Sequence, residues 1–445
     1  RAKEHQHSHK HDHDAFLSFI VGIIFAVDMS GGANEVTDND LWIGSQSGSS
    51  GTYTQSGGTN SVTGEVTLGR NSGSSGTYEL SGSSSLSAND EVVGRTGSGD
   101  FTQSGGTNTI TEDLTLGRNS TGSGTYDLSS GDLSADREYV GYSGSGTFNQ
   151  SGGTNTVTND LTVARVSGSS GTYNLSGGTL TVTTGSVVNK DTFNYSGGTL
   201  NSDIENSGDF NVSGTGTRTV NGSFINDGTV NVTNTTVAYT GAFTNNGAYI
   251  SDPSDNYFTD IDISDTGYLV GGTGDNFFVS GDFISSSTQN TLWDTVDASI
   301  GFTGLPSSAH DFYLTGADFG ALTSGILDNY AWGTLSMESG IELSLIDGNA
   351  TTGGALYLSV LDLADGTSQI NSIFSNGLNI YYDSAVSANS YLSGLTYGLD
   401  GGGFLTPYSI TQPVPEPATI ALLGIGLTGL GIGCLRRRQK KMKQQ

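Results

Sequence analysis

Residues 101–118 read FTQSGGTNTITEDLTLGR, and the same pattern stands at 53–70 (YTQSGGTNSVTGEVTLGR) and 148–165 (FNQSGGTNTVTNDLTVAR). Looser versions alternate with these at 78–95 (YELSGSSSLSANDEVVGR), 126–142 (YDLSSGDLSADREYVGY) and 173–190 (YNLSGGTLTVTTGSVVNK). Five of the six blocks have eighteen residues and one has seventeen, while the step from a block's end to the next aromatic alternates between eight and six. Constant blocks joined by variable Gly/Ser turns are what stacking produces: the coils above and below hold the block length, and the turn faces solvent. The aromatic opens one extended segment. SGG makes a corner, because glycine accepts backbone angles that other residues resist. Thr, Asn, Val and Ile build a second segment. The alternation of Val66 with Leu68, Leu114 with Leu116 and Leu161 with Val163 marks a third. Three short strands per coil of about 23–25 residues predict an all-β chain wound as a right-handed parallel β-helix.

Composition supports this reading. The 445 residues include 68 glycines against 6 prolines, and only 33% are hydrophobic, too few for one thick globular core. Gly/Ser-rich chains are often disordered, but here Val, Ile, Leu, Tyr and Phe recur at regular intervals. The solenoid is expected over residues 41–285. After Lys190 its coils shorten to steps of about twenty, marked by Asn206, Asn226 and Asn246. Residues 286–412 lose the repeat but stay rich in strand formers, and are expected to cap the open end of the stack. Two positions after each aromatic, Gln55, Gln103 and Gln150 alternate with Leu80, Leu128 and Leu175. Successive coils are therefore chemically distinct, as an internal amide stack or an exposed stripe.

Net charge is −28, and residues 15–435 hold 7 bases against 41 acids. Such a surface repels phosphate backbones, which excludes nucleic acid as a partner. Cys434 is the single cysteine, so no intrachain disulfide is possible.

The two ends carry export features. Residues 15–27 (AFLSFIVGIIFAV) form an uncharged run of signal-peptide length, preceded by a segment in which His5, His7, His9, His11 and His13 alternate. Residues 1–33 are read together as this leader region. At the other end Val414, Pro415, Glu416 and Pro417 precede eighteen uncharged residues, 418–435. As a transmembrane helix these span about 27 Å, close to a hydrocarbon core. Arg436, Arg437 and Arg438 follow at once, with three lysines behind them. A basic cluster hard against an apolar helix is a membrane stop that fixes that end in the cytoplasm and leaves the repeats outside.

Pro-Glu-Pro, an apolar helix and an Arg-rich tail, in that order over residues 414–445, resemble the PEP-CTERM sorting signal. The resemblance implies an exosortase, a membrane-bound transpeptidase-like enzyme, as partner. It also implies an exported protein, first anchored in the inner membrane and then placed at the cell surface or outside it. Proteins with this signal typically accompany genes for extracellular polysaccharide, so a role beside exopolysaccharide or in biofilm is the expectation it brings. The repeats themselves resemble the β-strand repeats of autotransporter passengers.

Chemistry is sparse. No HExxH, CxxC, GxSxG or phosphate-binding loop occurs in the required context, and no cofactor is expected. His310 is the one histidine after the leader region and reads as structural. Arg70, Arg95, Arg118, Arg165 and Lys190 occupy one equivalent repeat position, which predicts a corner ladder rather than catalytic bases. Asp252, Asp255, Asp260, Asp262 and Asp265 form an acidic run whose oxygens suit calcium, although the spacing matches neither an EF-hand nor the nonapeptide calcium repeat. Two function classes remain. One is a non-enzymatic surface or matrix protein; the other is a β-helix polysaccharide lyase or hydrolase working with carboxylates.

Overall fold

The computed structural model describes residues 26–36, 40–349 and 353–408. The His-rich stretch, most of the apolar run 15–27, the Val414–Pro417 motif, the proposed membrane helix 418–435 and Arg436–Arg438 lie outside the described residues. Within them the chain is an all-β solenoid of right-handed type with about 16 turns. Each turn of the repeat region lays one short strand on each of three faces, and these strands pair in parallel with their equivalents in the neighbouring coils. On the first face Tyr53 stands in register with Tyr78, Phe101 and Tyr126. On the second Asn60, Leu86 and Asn108 align. On the third Leu41, Val66 and Glu91 align.

The aromatic that opens each block points inward and stacks on its neighbours. From Tyr53 to Phe210 successive ring centroids lie 4.6–5.0 Å apart with planes within 13°. That spacing is about one inter-strand step, so the file follows directly from placing one aromatic per coil. At Phe224 the stack turns edge-on, 87° from Phe210, because Phe224 belongs to the third face rather than the first.

The corner from the third face back to the first is closed by two facing columns of glycine. One runs Gly76, Gly99, Gly124, Gly146, Gly171 at the start of each block. The other runs Gly44, Gly69, Gly94, Gly117, Gly141, all with φ between 62° and 82°. A Cβ on Gly124 would lie 2.1 Å from the Val93 carbonyl oxygen, and one on Gly141 2.1 Å from that of Ser170. The next position in the second column is Ala164, with φ 58°. A methyl fits there because the following coil is shorter: Gly171 N–H meets the Asp191 side chain at 2.9 Å, and no Ser-Gly pair stands between Lys190 and Phe193.

Beyond this point an interior amide ladder replaces the apolar column that ends at Val163. Asn189 Nδ2 donates to Asn206 Oδ1 at 2.6 Å, Asn206 to Asn226 at 2.8 Å, and Asn226 to Asn245 at 2.7 Å. All four are buried. Burying amides costs little when each donor meets the next acceptor.

The parallel ladders extend past both ends of the repeat region. Ala26–Met29 and Ala33–Val36 pair with the Tyr53 coil, so part of the leader-like stretch contributes the first described coil. Toward the other end Phe302, Met337 and Leu363 continue the second face, and Phe283, Phe312 and Leu345 the third. Residues 286–408 thus prolong the same solenoid with longer loops. An antiparallel strand pair, Tyr397–Gly398 against Phe404–Tyr408, closes the last coil, and an isolated antiparallel bridge joins Ala317 to Gly354. Among the described residues the helices are three short 3-10 turns, and none is long and apolar enough to cross a membrane.

Candidate functional site

The four arginines of the basic column are engaged in structural contacts, while Lys190 is exposed. The Arg70 guanidinium lies over the Trp42 ring at 3.5 Å, and Arg165 over Tyr139 and Tyr142 at 4.4 and 4.6 Å. Arg95 and Arg118 both reach Glu65, at 3.4 and 2.6 Å. Part-exposed ion pairs are worth little individually. Their main effect is cover: the long stems lie over the outer surface of the third face, where Thr67, Val92 and Thr115 are buried.

The acidic run does not gather. Asp252 ends a first-face strand, Ala248–Asp252, and Asp255 begins the second-face strand Asp255–Phe258. Asp255 accepts a hydrogen bond from Asn276 at 2.8 Å, and Asp260 one from the backbone N–H of Asp282 at 2.8 Å. Asp262 is on the third face, where burial raises its carboxyl pKa, and Asp265 lies in the turn beyond. The five carboxylates are strung around one coil. Among the described residues no group of three or more His, Cys, Asp or Glu side chains is placed to hold a metal ion. His310 points inward with Nδ1 2.6 Å from the Gly281 carbonyl oxygen.

Gln55, Gln103 and Gln150 are internal, and they form polar clusters rather than a stack. Tyr126 Oη donates to Gln103 Oε1 at 2.6 Å and accepts from Asn108 Nδ2 at 3.1 Å. The same amide nitrogen donates to Glu91 Oε2 at 3.1 Å. One double coil further on, Tyr173, Gln150, Asn155 and Glu138 repeat the arrangement. Glu91 and Glu138 stand in the column of Val66, Leu114 and Leu161, and burial pushes both carboxyls up to about 8. These acids serve the interior and are out of reach of a polymeric substrate.

One cleft opens to solvent on the later coils, with a volume of about 580 Å³. It occupies the corner that the glycine columns close in the early coils. There the tight turn is replaced by loops at 286–290, 315–319 and 348–349, and by the 328–330 segment. The walls are pinned from below. Asn329 Oδ1 accepts from Ala317 N–H at 2.7 Å, and its Nδ2 donates to the Ala317 and Gly325 carbonyls, each at 3.0 Å. Tyr330 Oη donates to the Ser287 carbonyl at 2.7 Å, and Asn290 Nδ2 to that of Asp328 at 2.9 Å. Asp328 and Tyr330 hold left-handed backbone angles on either side of Asn329, φ 48° and 56°. Such angles persist only where surrounding contacts fix them. Exposed Asp265 and Asp328 contribute carboxylates, and Phe319 presents a half-exposed ring.

Compared with known protein families, the chain matches the PEP-CTERM protein-sorting motif over residues 413–438. That span contains Pro415, Glu416, Pro417 and Arg436–Arg438, the residues on which the sequence resemblance rests. No curated protein and no solved structure matches the chain.

Proposed function

We propose that this is a non-enzymatic structural protein of the bacterial surface: an acidic β-solenoid rod exported to the envelope, processed there by an exosortase, and associated with extracellular polysaccharide. The sorting motif at 413–438, appended to a solenoid of about 16 turns, is the observation that carries this reading. The motif implies export and surface sorting. Rung-to-rung stacking makes a stiff, extended object with little to unfold locally. The apolar run 418–435 enters the inner membrane with Arg436–Arg438 on the cytoplasmic side, consistent with the charge bias that orients membrane helices. The non-enzymatic assignment draws support from the basic side chains. A lyase that drew its base from this basic column would need that side chain free, whereas Arg70, Arg95, Arg118 and Arg165 rest on rings or on Glu65.

The test is fractionation of the native host, followed by incubation of the purified protein with that host's own polysaccharide. Expected are recovery in the surface or matrix fraction and no release of reducing ends or unsaturated products. Turnover abolished by Asp265→Asn or Asp328→Asn would replace this reading with the enzymatic one.

A further inference from the structure

The corner cleft faces solvent across successive coils of the later solenoid, and its chemistry is selective. At roughly 4.8 Å per rung, four coils give a trough about 15 Å long, enough for a short oligomer rather than a lone ion. The cleft lining includes Asp265 and Asp328 and no Lys or Arg, so a polyanion is repelled. Thr315 lies in the same wall, 7% exposed, with a hydroxyl that has no protein partner. That hydroxyl is open to exchange a hydrogen bond with a ligand in the cleft. The Phe319 ring, 47% exposed at the rim, offers an apolar face beside these acceptors. Hydroxyl-accepting carboxylates, a free hydroxyl and an aromatic face suit a ligand that alternates O–H groups with C–H patches and carries no charge.

We infer that this cleft is a binding site for a neutral oligosaccharide segment, with Asp265 and Asp328 accepting sugar hydroxyls, Thr315 exchanging a hydrogen bond at the floor, and Phe319 packing on a sugar face. The inference rests on the surface-protein reading and gives the rod a defined point of attachment. The pinning by Asn329 and Tyr330 means that the walls are in place before the ligand arrives, which lowers the entropy cost of binding.

The experiment titrates the full-length protein, in detergent, by calorimetry. The probes are neutral hexasaccharides of glucose, galactose, mannose and N-acetylglucosamine, a polyuronate hexamer, hexalysine, and calcium chloride. Expected is saturable binding of at least one neutral hexasaccharide and none of the polyuronate. Asp328→Asn and Phe319→Ala should each weaken that binding at least tenfold while leaving the far-UV spectrum unchanged, since both side chains are exposed. Three results would overturn the site: no neutral hexasaccharide binds, binding survives both substitutions, or only hexalysine or calcium binds. Surface location in the native host is measured separately. Correctly sorted protein that ignores all the neutral sugars defeats the cleft alone, whereas protein absent from the surface fraction defeats the surface reading.

Discussion

Glu91 accepts a hydrogen bond from Asn108 Nδ2 at 3.1 Å in the interior of the solenoid, yet Glu91 Oε1 and Asn108 Oδ1 are both buried without a partner. Glu138 and Asn155 repeat the relationship one double coil later, with the same two atoms unpartnered. A carboxyl that keeps its proton supplies the donor this arrangement lacks. Desolvation, the largest cause of the shift, favours the same neutral form and raises both carboxyls to about 8 from an ordinary 4.5.

The pH dependence follows from that shift. A carboxyl whose pKa is raised in the folded state binds its proton more tightly there than in the unfolded chain. Its contribution is fully present below about 4.5 and is lost as pH rises through about 8. Within that window each carboxyl removes up to about 1.4 kcal/mol per pH unit. Urea midpoints should therefore fall between pH 5 and pH 9. The double variant Glu91→Gln, Glu138→Gln, which keeps a donor and an acceptor but cannot ionise, should flatten that slope. An unchanged slope in the variant would show that the interior acids are ionised without penalty.

Tyr126→Phe removes a hydroxyl that donates to Gln103 and accepts from Asn108 while leaving the ring stack intact. It strands a buried amide oxygen, so the expected loss is about 1–3 kcal/mol. Phe148→Tyr is the control: it adds a hydroxyl to a coil whose neighbours offer no Gln at that position. Chemical denaturation of the two variants should show Tyr126→Phe destabilised, and loss of far less than about 1 kcal/mol would mean that water reaches Gln103.

Ala164 is the exception in the positive-φ glycine column. A left-handed alanine costs about 1–2 kcal/mol, partly offset by the entropy that glycine loses on folding. Ala164→Gly should raise stability by up to about 1 kcal/mol. Gly141→Ala, whose Cβ would lie 2.1 Å from the Ser170 carbonyl oxygen, should prevent the two coils from closing. A stabilised Gly141→Ala protein, judged by its thermal midpoint, would contradict the packing of that corner.

These cases also mark what the sequence discloses. The repeat gave the three-face coil and the aromatic file, because identical blocks must stack identical residues. It even contained the interior acids: aligning the blocks on their last residues, Arg70, Arg95, Arg118, Tyr142 and Arg165, puts Glu91 and Glu138 in the column of Val66, Leu114 and Leu161, where a charged residue is out of place. The corner cleft was not legible. It is assembled from loops of different lengths at 286–290, 315–319 and 328–330, where no periodicity survives, and its shape depends on Asn329 hydrogen bonds that no spacing encodes. The continuation of the parallel ladders through residues 286–408 was hidden for the same reason. Inward positions such as Phe302, Met337 and Leu363 keep their register, while inserted loops destroy the constant step between them.

The sorting motif gives the last expectation. Pro415 and Pro417 lack backbone donors and disfavour helix at the residue before each, so the chain beside the apolar run 418–435 should be extended and open to a membrane-embedded enzyme. Eighteen apolar residues are marginal for a span, which leaves orientation to the flanking charge: six bases on one side, an acidic chain on the other. The mature protein in its own host should therefore lack residues 418–445, and in a host without an exosortase it should remain membrane-bound and uncleaved. Replacing Pro415, Glu416 and Pro417 by alanine should leave insertion unchanged, because the apolar run 418–435 and the basic residues after it are untouched, and should block processing. Peptide mass spectrometry of surface protein from the native host reads the outcome directly. Abundant peptides from residues 436–445 on surface molecules would mean that the motif is present but not cut.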